Sequence, residues 1–285
     1  MDKTLLSIGH GYSARALARL LVAQGWTVIG TSRTADKAAG FRAEGVSHMI
    51  WPGETLPLDR ATHVLTSVAP GKTGDPVLAE AAEQLKEAQH LEWVGYLSTT
   101  GVYGDRDGGW VDETSELRPT TERGRARVAA EKAWQALDLP LHIFRLAGIY
   151  GPGRGPFAKV RAGTARRIIK ERQVFSRIHV DDIAQVLAAS IARPSPGAIY
   201  NVCDDHPAPP EDVIAHAAEL LGVPTPPAVP FDQAEMTPMA RSFYAESKRV
   251  RNDRIKEELG VSLLYPNYRQ GLAALLKSEK NTGPR

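Results

Sequence analysis

Through the first two thirds of the chain, short apolar runs rich in β-branched residues alternate with segments whose apolar positions recur every three or four residues. That rhythm predicts a parallel sheet with helices on both faces, because each crossover between parallel strands carries a helix. Thr4 to Ile8 reads as the first strand and Ser13 to Gln24 as the first helix, with Ala14, Leu17, Ala18, Leu20 and Leu21 on its apolar face and Gly25 ending it. Further strands are predicted at Trp26 to Ile29, Ser47 to Ile50, His63 to Val68, Trp93 to Leu97, Leu141 to Leu146 and Ala198 to Val202. Helices are predicted over Ala35 to Ala43, Asp75 to Gln89, Thr121 to Leu137 and Asp181 to Ile191. Asp75-Pro76 is a helix start, since proline fits the first turn and an aspartate suits its positive end.

Beyond Tyr150 the regularity weakens. Pro152, Gly153, Gly155 and Pro156 interrupt it, and Pro194, Pro196, Pro207, Pro209, Pro210 and the 224–230 cluster break the tail into short pieces. The pattern therefore predicts one doubly wound α/β core from residues 1–150 plus 179–202. Residues 151–178 plus 203–285 form a small, mostly C-terminal lobe beside it, with 277–285 fraying.

Composition excludes more than it selects. With 42% hydrophobic and 24% charged residues in 285, the chain is neither disordered nor low in complexity. The 35 basic and 33 acidic residues leave a net charge of +2, too even for a nucleic-acid surface. A single cysteine, Cys203, allows no intrachain disulfide, and no Cys or His spacing suits a metal. The apolar stretch at the amino terminus is too short for a signal peptide, and no segment is long enough to span a membrane. These features predict a soluble cytoplasmic protein with a small-molecule partner, no nucleic acid and no membrane.

The first strand runs into Gly9-His10-Gly11-Tyr12-Ser13-Ala14, a G-x-G-x-x-A turn that opens the first helix. Gly9 permits the tight turn, Gly11 lets a pyrophosphate approach the backbone, and Ala14 lets the helix pack close to the strand. The unpaired N–H groups around Tyr12 and Ser13 favour an anion. The alternation and this turn together describe a Rossmann-type dinucleotide site. After the second strand come Ser32 and Arg33, where an acidic residue would select a ribose hydroxyl; this favours NADP over NAD.

Further blocks resemble the short-chain dehydrogenase/reductase superfamily, in its extended, epimerase/dehydratase-like branch. They are Leu97-Ser98-Thr99-Thr100-Gly101-Val102-Tyr103-Gly104, Phe144-Arg145-Leu146-Ala147-Gly148-Ile149-Tyr150-Gly151 and Arg177-Ile178-His179-Val180-Asp181-Asp182, followed by Ile199-Tyr200-Asn201-Val202 and Ser247-Lys248-Arg249-Val250. The resemblance implies that Thr99 hydrogen-bonds a reacting oxygen. It also implies that Val68 and Ala69 line the cofactor groove, that Leu146 and Ala147 pass the nicotinamide, and that Gly148 begins the substrate pocket. A homodimer is what it suggests for assembly. His179 to Asp182 reads as a helix start with Asp181 or Asp182 at its positive end.

One departure bears on the chemistry. The family's Tyr-x-x-x-Lys pair falls on Arg123 and Arg127, with Gly124 and Glu131 matching the rest of its pattern. A guanidinium stays protonated and cannot act as that acid or base, but Arg123 and Arg125 could fix an anionic substrate. Tyr103 and Tyr150 are candidates for the proton transfer. Tyr244 and Lys248 form a Tyr-x-x-x-Lys pair far from the fifth strand, and that sequence distance argues against a catalytic role. The basic residues Lys159, Arg161, Arg166, Arg167, Lys170 and Arg172 read either as a diphosphate site or as a solvated helix face. Two functions follow: an NADP-binding oxidoreductase or epimerase/dehydratase acting on a small anionic or sugar-nucleotide-like substrate, or an inactive dinucleotide-binding sensor.

Overall fold

The computed structural model describes residues 3–282. Its strands in the first half are β1 (Thr4–Ile8), β2 (Thr27–Ser32), β3 (Ser47–Ile50), β4 (His63–Thr66), β5 (Trp93–Thr99) and β6 (Trp110–Val111). The second half adds β7 (Leu141–Leu146), β8 (Gly148–Tyr150), β9 (Arg167–Ile169), β10 (Arg177–His179), β11 (Ile199–Val202), β12 (Ala228–Pro230) and β13 (Arg249–Val250). The helices are α1 (Tyr12–Ala23), α2 (Ala38–Ala43), α3 (Pro76–Glu87), α4 (Glu122–Gln135) and α5 (Phe157–Arg161). They continue as α6 (Val180–Ala192), α7 (Pro210–Leu221), α8 (Pro238–Phe243), α9 (Asp253–Glu257) and α10 (Tyr268–Thr282).

Seven strands form a parallel sheet in the order β11-β7-β5-β4-β1-β2-β3. The chain leaves β1 toward β3 on one side and returns through β4 to the other, so the order reverses between β1 and β4. In sheets of this kind ligands bind outside the carboxyl ends of the strands at that reversal. Central strands are buried on both faces, and every residue of β1 and β4 is buried, the polar ones included.

Each face has its own core. On one, Leu17 and Leu21 of α1 pack with Ile183, Val186 and Leu187 of α6 over Leu5, Leu65 and Phe144. Small residues, Ala16 on α1 and Ala184 on α6, let these two helices approach closely. On the other, Val77, Ala81 and Leu85 of α3 and Ala130 and Trp134 of α4 cover Leu6, Val64, Val94 and Ile143. The Asp75 carboxylate caps α3 by accepting the N–H groups of Val77 (2.8 Å) and Leu78 (3.3 Å), as the Asp-Pro start predicts, and also accepts the indole N–H of Trp134 at 3.0 Å.

A third cluster lies outside the sheet, where Tyr150, Phe157, Val160, Val213, Ala217, Tyr268 and Leu272 join α5, α7 and α10. Parallel pairs β8/β10 and β6/β13 hold this region to the core, while β9/β12 pairs within it. The tail is more regular than its prolines imply, because Pro210 occupies the first turn of α7, where a missing N–H costs nothing. Residues 277–282, expected to fray, continue α10; 283–285 lie outside the described residues. At α6 the cap is His179, whose Nδ1 accepts the Asp181 N–H at 3.2 Å. Asp182 instead ties α6 to a distant loop by accepting the N–H groups of Leu264 (2.6 Å) and Tyr265 (3.1 Å).

Beneath the carboxyl ends of β5 and β7, Arg145 and Glu131 form a buried bidentate pair, Nη2 to Oε2 at 2.8 Å and Nε to Oε1 at 3.2 Å. Removing one partner from such a pair leaves an uncompensated buried charge, a cost of about 3–5 kcal/mol. Glu131→Ala should lower unfolding stability by about that amount in urea titrations, whereas a loss below 1 kcal/mol would assign the pair a minor role.

Candidate functional site

The G-x-G-x-x-A turn lies at the reversal point. Gly9 has φ +73°, and a Cβ there would sit 2.8 Å from the Val68 side chain, so both conformation and space require glycine. Its N–H donates to Thr31 Oγ1 at 2.8 Å, and its carbonyl accepts the Ser67 hydroxyl, which joins the ends of β1, β2 and β4. Gly11 caps α1 with no side chain over it, and a Cβ there would meet nothing closer than the Gly9 carbonyl at 3.6 Å. The N–H groups of the first turn are therefore open to an external acceptor. His10, between the two glycines, points inward: its Nδ1 lies 2.9 Å from Ser7 Oγ, and burial lowers its pKa to about 4.

From this turn a cleft of about 870 Å³ runs across the ends of β5 and β7 toward the third hydrophobic cluster. Thr99, Gly101 and Thr121 border it on one side and Leu146, Ala147 and Gly148 on another. Thr99 Oγ1 accepts the Gly101 N–H at 3.2 Å, which leaves its hydroxyl proton free to donate into the cleft. Thr121 caps α4 by accepting the Gly124 N–H at 3.0 Å, fixing where Arg123 emerges. The far wall comes from Phe175, Arg177, Tyr244 and Lys248.

Five cations and one acid border this space. Lys248 is committed to the protein, donating to the Gly104 carbonyl at 2.8 Å and to Glu246 at 2.6 Å. Arg127 donates to the Tyr96 hydroxyl (3.0 Å) and the Leu97 carbonyl (2.8 Å). Arg123 lies over the Phe243 ring at 5.2 Å and Arg154 over the Tyr12 ring at 5.7 Å. Neither they nor Arg177 have a carboxylate within 4 Å among the described residues. The cleft is thus electropositive where its charges remain available, which favours anions.

Residues 73–203 match the model of the NAD dependent epimerase/dehydratase family. That segment belongs to the family. A conserved protein of unknown function from Silicibacter pomeroyi DSS is 65% identical, with a TM-score of 0.93 over 97% of this chain and 99% of that one. Protein YeeZ of Escherichia coli K12 is 27% identical over 93% of this chain and 97% of its own. A 3-diazoavenalumate denitrifying reductase from a Streptomyces species is 26% identical over 83% of this chain and 71% of its own. The seven-stranded parallel sheet is the NAD(P)-binding Rossmann-like fold of the epimerase/dehydratase family.

Of the cofactor positions expected within that family, Gly9, Gly11, Tyr12, Ser13, Leu146 and Ala147 border the cleft. Ala14 is buried in the α1 contact, and Ser67 borders the cleft where Val68 and Ala69 were expected. Ser32 and Arg33 lie beyond its edge: the Ser32 hydroxyl donates to the Thr34 carbonyl at 2.8 Å and lies 2.8 Å from His48 Nε2, while Arg33 is exposed. Among substrate positions, Arg123 and Gly148 border the cleft, whereas Arg125 faces outward with its Nη1 on the Thr120 carbonyl.

Tyr103, expected near the chemistry, is placed elsewhere. It is fully buried, donates to Asn201 Oδ1 at 2.7 Å and accepts from Arg145 Nη1 at 2.9 Å, and burial pushes its pKa to about 12. It completes the Arg145–Glu131 network. The basic run at 159–172 does not border the cleft either: Arg161 pairs with Glu279, Arg172 with Asp107, and Arg167 donates to the Pro226 carbonyl. Conversely, the fold brings Tyr244 and Lys248 to the cleft despite their sequence distance from β5. Tyr244 is the C-cap of α8 and Lys248 follows in the segment that leads to β13, so the two do not share one helix face. Arg154 and Arg177 were missed as site residues, although both lie within or beside the blocks quoted above.

Behind the far wall, burial pushes the Asp204 carboxyl from 3.8 up to about 8, with Arg177 offsetting only part of that cost. A carboxyl raised on folding stabilises the protein below its unfolded pKa and loses that contribution as pH rises through the folded value. Between pH 4 and pH 8 wild type should therefore lose stability relative to Asp204→Asn, measured by denaturant titration. Parallel pH profiles for the two proteins would contradict the assignment.

Proposed function

We propose that this protein is an NADP-dependent oxidoreductase of the epimerase/dehydratase type whose substrate is small and anionic. One observation carries the reading: a single cleft joins the glycine turn at the β1/β4 reversal to Arg123, Arg154 and Arg177, none of which has a carboxylate partner among the described residues. Bound at the turn, a nicotinamide dinucleotide would supply hydride donor and acceptor chemistry.

The chain's residues divide the remaining work. Gly11, Tyr12 and Ser13 would hold the diphosphate with their N–H groups, Gly9 supplies the tight turn before them, and Ala14 keeps α1 close enough to aim them. Ser32 and exposed Arg33 meet a 2′-phosphate, since no acidic residue ends β2. Ser67 on one side and Leu146 and Ala147 on the other exclude water from the nicotinamide end. Thr99 donates its hydroxyl to the reacting oxygen, and Gly148 leaves room for substrate beside it. Arg123 fixes an anionic group at the mouth through its guanidinium fork. Residues 151–178 and those from 203 onward shape the substrate end.

A second reading, a dinucleotide-binding sensor without turnover, is supported by the use of Arg127. It stands where the family carries its lysine, and its guanidinium is spent on Tyr96 and the Leu97 carbonyl. Helix α4 contains no tyrosine to act as acid or base.

Fluorescence titration with NADPH and NADH, followed by a turnover screen of sugar nucleotides and small keto acids, separates the readings. The proposal expects tighter binding of NADPH and measurable oxidation with an anionic substrate. Binding without turnover favours the sensor, and failure to bind either cofactor removes both. Arg33→Asp should cut the preference for NADPH by roughly tenfold, through loss of one charge-assisted contact; an unchanged preference would remove Arg33 from the site.

A further inference from the structure

The cleft does not stop at the wall opposite Thr99. Beyond β8 lies a second cavity of about 270 Å³, and Ile149, Tyr150, Arg154 and Arg177 border both spaces. Val213, Tyr268, Leu272 and Pro156 give this annex apolar walls. A volume below the usual range for a whole ligand site suits one ring or a short chain of a larger molecule.

Arg177 stands at the junction. Its Nη1 donates to the carbonyls of Phe175 (2.9 Å) and Ala208 (3.0 Å), and its guanidinium lies over the Phe175 ring at 5.8 Å. These contacts fix the plane of the fork without neutralising its charge. The groups facing it are Asp204, Glu211 and the phenols of Tyr150, Tyr244 and Tyr268. Burial holds the Asp204 and Glu211 carboxyls above the usual carboxylate range, and neither pairs with Arg177. A half-buried, oriented guanidinium without a carboxylate partner among the described residues offers its remaining N–H groups to an anion.

Tyr150 adds a second observation. Its hydroxyl is buried and has no hydrogen-bond partner, and it lies so close to α10 that a Cβ on Gly271 would come within 2.1 Å of it. The chain thus keeps both a glycine and an unsatisfied donor beside the annex, an expensive arrangement for packing alone.

We propose that Arg177 binds a substrate carboxylate at the junction of the two cavities, and that the apolar part of the same substrate fills the annex beside Tyr150. The substrate class is then an amphiphilic monocarboxylate, a ring or short chain bearing one carboxylate, rather than a sugar nucleotide. This rests on the reading of the cleft as a substrate site and narrows it. A carboxylate fits a single planar fork, whereas a phosphate dianion would call for a second free cation and would sit against Asp204 and Glu211. Arg154, the other cation at the junction, is turned over the Tyr12 ring toward the glycine turn.

Calorimetric titration of the full chain with 3-phenylpropionate, 3-phenylpropanamide and phenyl phosphate, each with and without NADPH, tests the proposal. The carboxylate should bind at least tenfold more tightly than its neutral amide in the wild-type protein, a comparison that needs no variant. Arg177→Met should erase that difference, Arg177→Lys should retain part of it, and Leu272→Trp should abolish carboxylate binding by filling the annex. Equal affinity for carboxylate and amide, an undiminished difference in Arg177→Met, or a tenfold preference for phenyl phosphate would each overturn it. Arg177-dependent carboxylate binding in a protein that does not bind NADPH would uphold this site while overturning the cofactor reading.

Discussion

Everything at the cleft is referenced to one buried contact, the bidentate pair between Arg145 on β7 and Glu131 on α4. A helix packed on a sheet by apolar contacts alone can slide by small amounts, but two charge-assisted hydrogen bonds at fixed geometry cannot. The pair reaches both ways. Ser98 donates to Glu131 and borders the cleft, while Arg145 donates to Tyr103, which donates to Asn201 at the end of β11. Three adjacent strands and α4 are thereby held in one register, and Thr99, one residue from Ser98, is held with them. Positioning of this kind matters in an active site, where displacements of about 1 Å are expensive.

The same logic sorts the cations. In the overlay that the sequence blocks imply, the family's tyrosine and lysine fall on Arg123 and Arg127 of α4. Arg127 becomes structural and Arg123 a charge at the cleft mouth. With no tyrosine on α4, the proposed selectivity lies at the opposite wall, where Arg177 and Tyr150 border an apolar annex. Chemistry that needs only delivery of hydride, with protonation from a hydroxyl or solvent, suits such a cleft better than chemistry that must abstract a proton from carbon.

Much of the core was legible because its physics is local. β1, β3 and β7 coincide with their apolar runs, and Asp75-Pro76 starts a helix for the reason that any such pair does. β5 extends to Thr99, past the last apolar residue, because Ser98 and Thr99 pair with Arg145 and Leu146, a contact no local pattern contains. The glycine turn was legible because only glycine meets the backbone demand at Gly9. Side-chain direction was not: Tyr103 and Thr99 share one motif, yet one hydroxyl serves the core network and the other borders the cleft. The lobe was least legible, since its strands are two or three residues long and are stabilised by partners up to 139 residues away, as with β6 and β13. That is also why Tyr244 and Lys248 looked remote.

One continuous cleft is proposed to serve a dinucleotide at the glycine turn and a substrate at the far wall. A crystal structure of the protein grown with NADPH tests it most directly. The account predicts diphosphate density against the N–H groups of Gly11, Tyr12 and Ser13, with the nicotinamide between Thr99 and Ala147-Gly148 and the Arg177 junction left open. Density for the dinucleotide across the basic 159–172 segment, or with its nicotinamide away from Thr99, would contradict it.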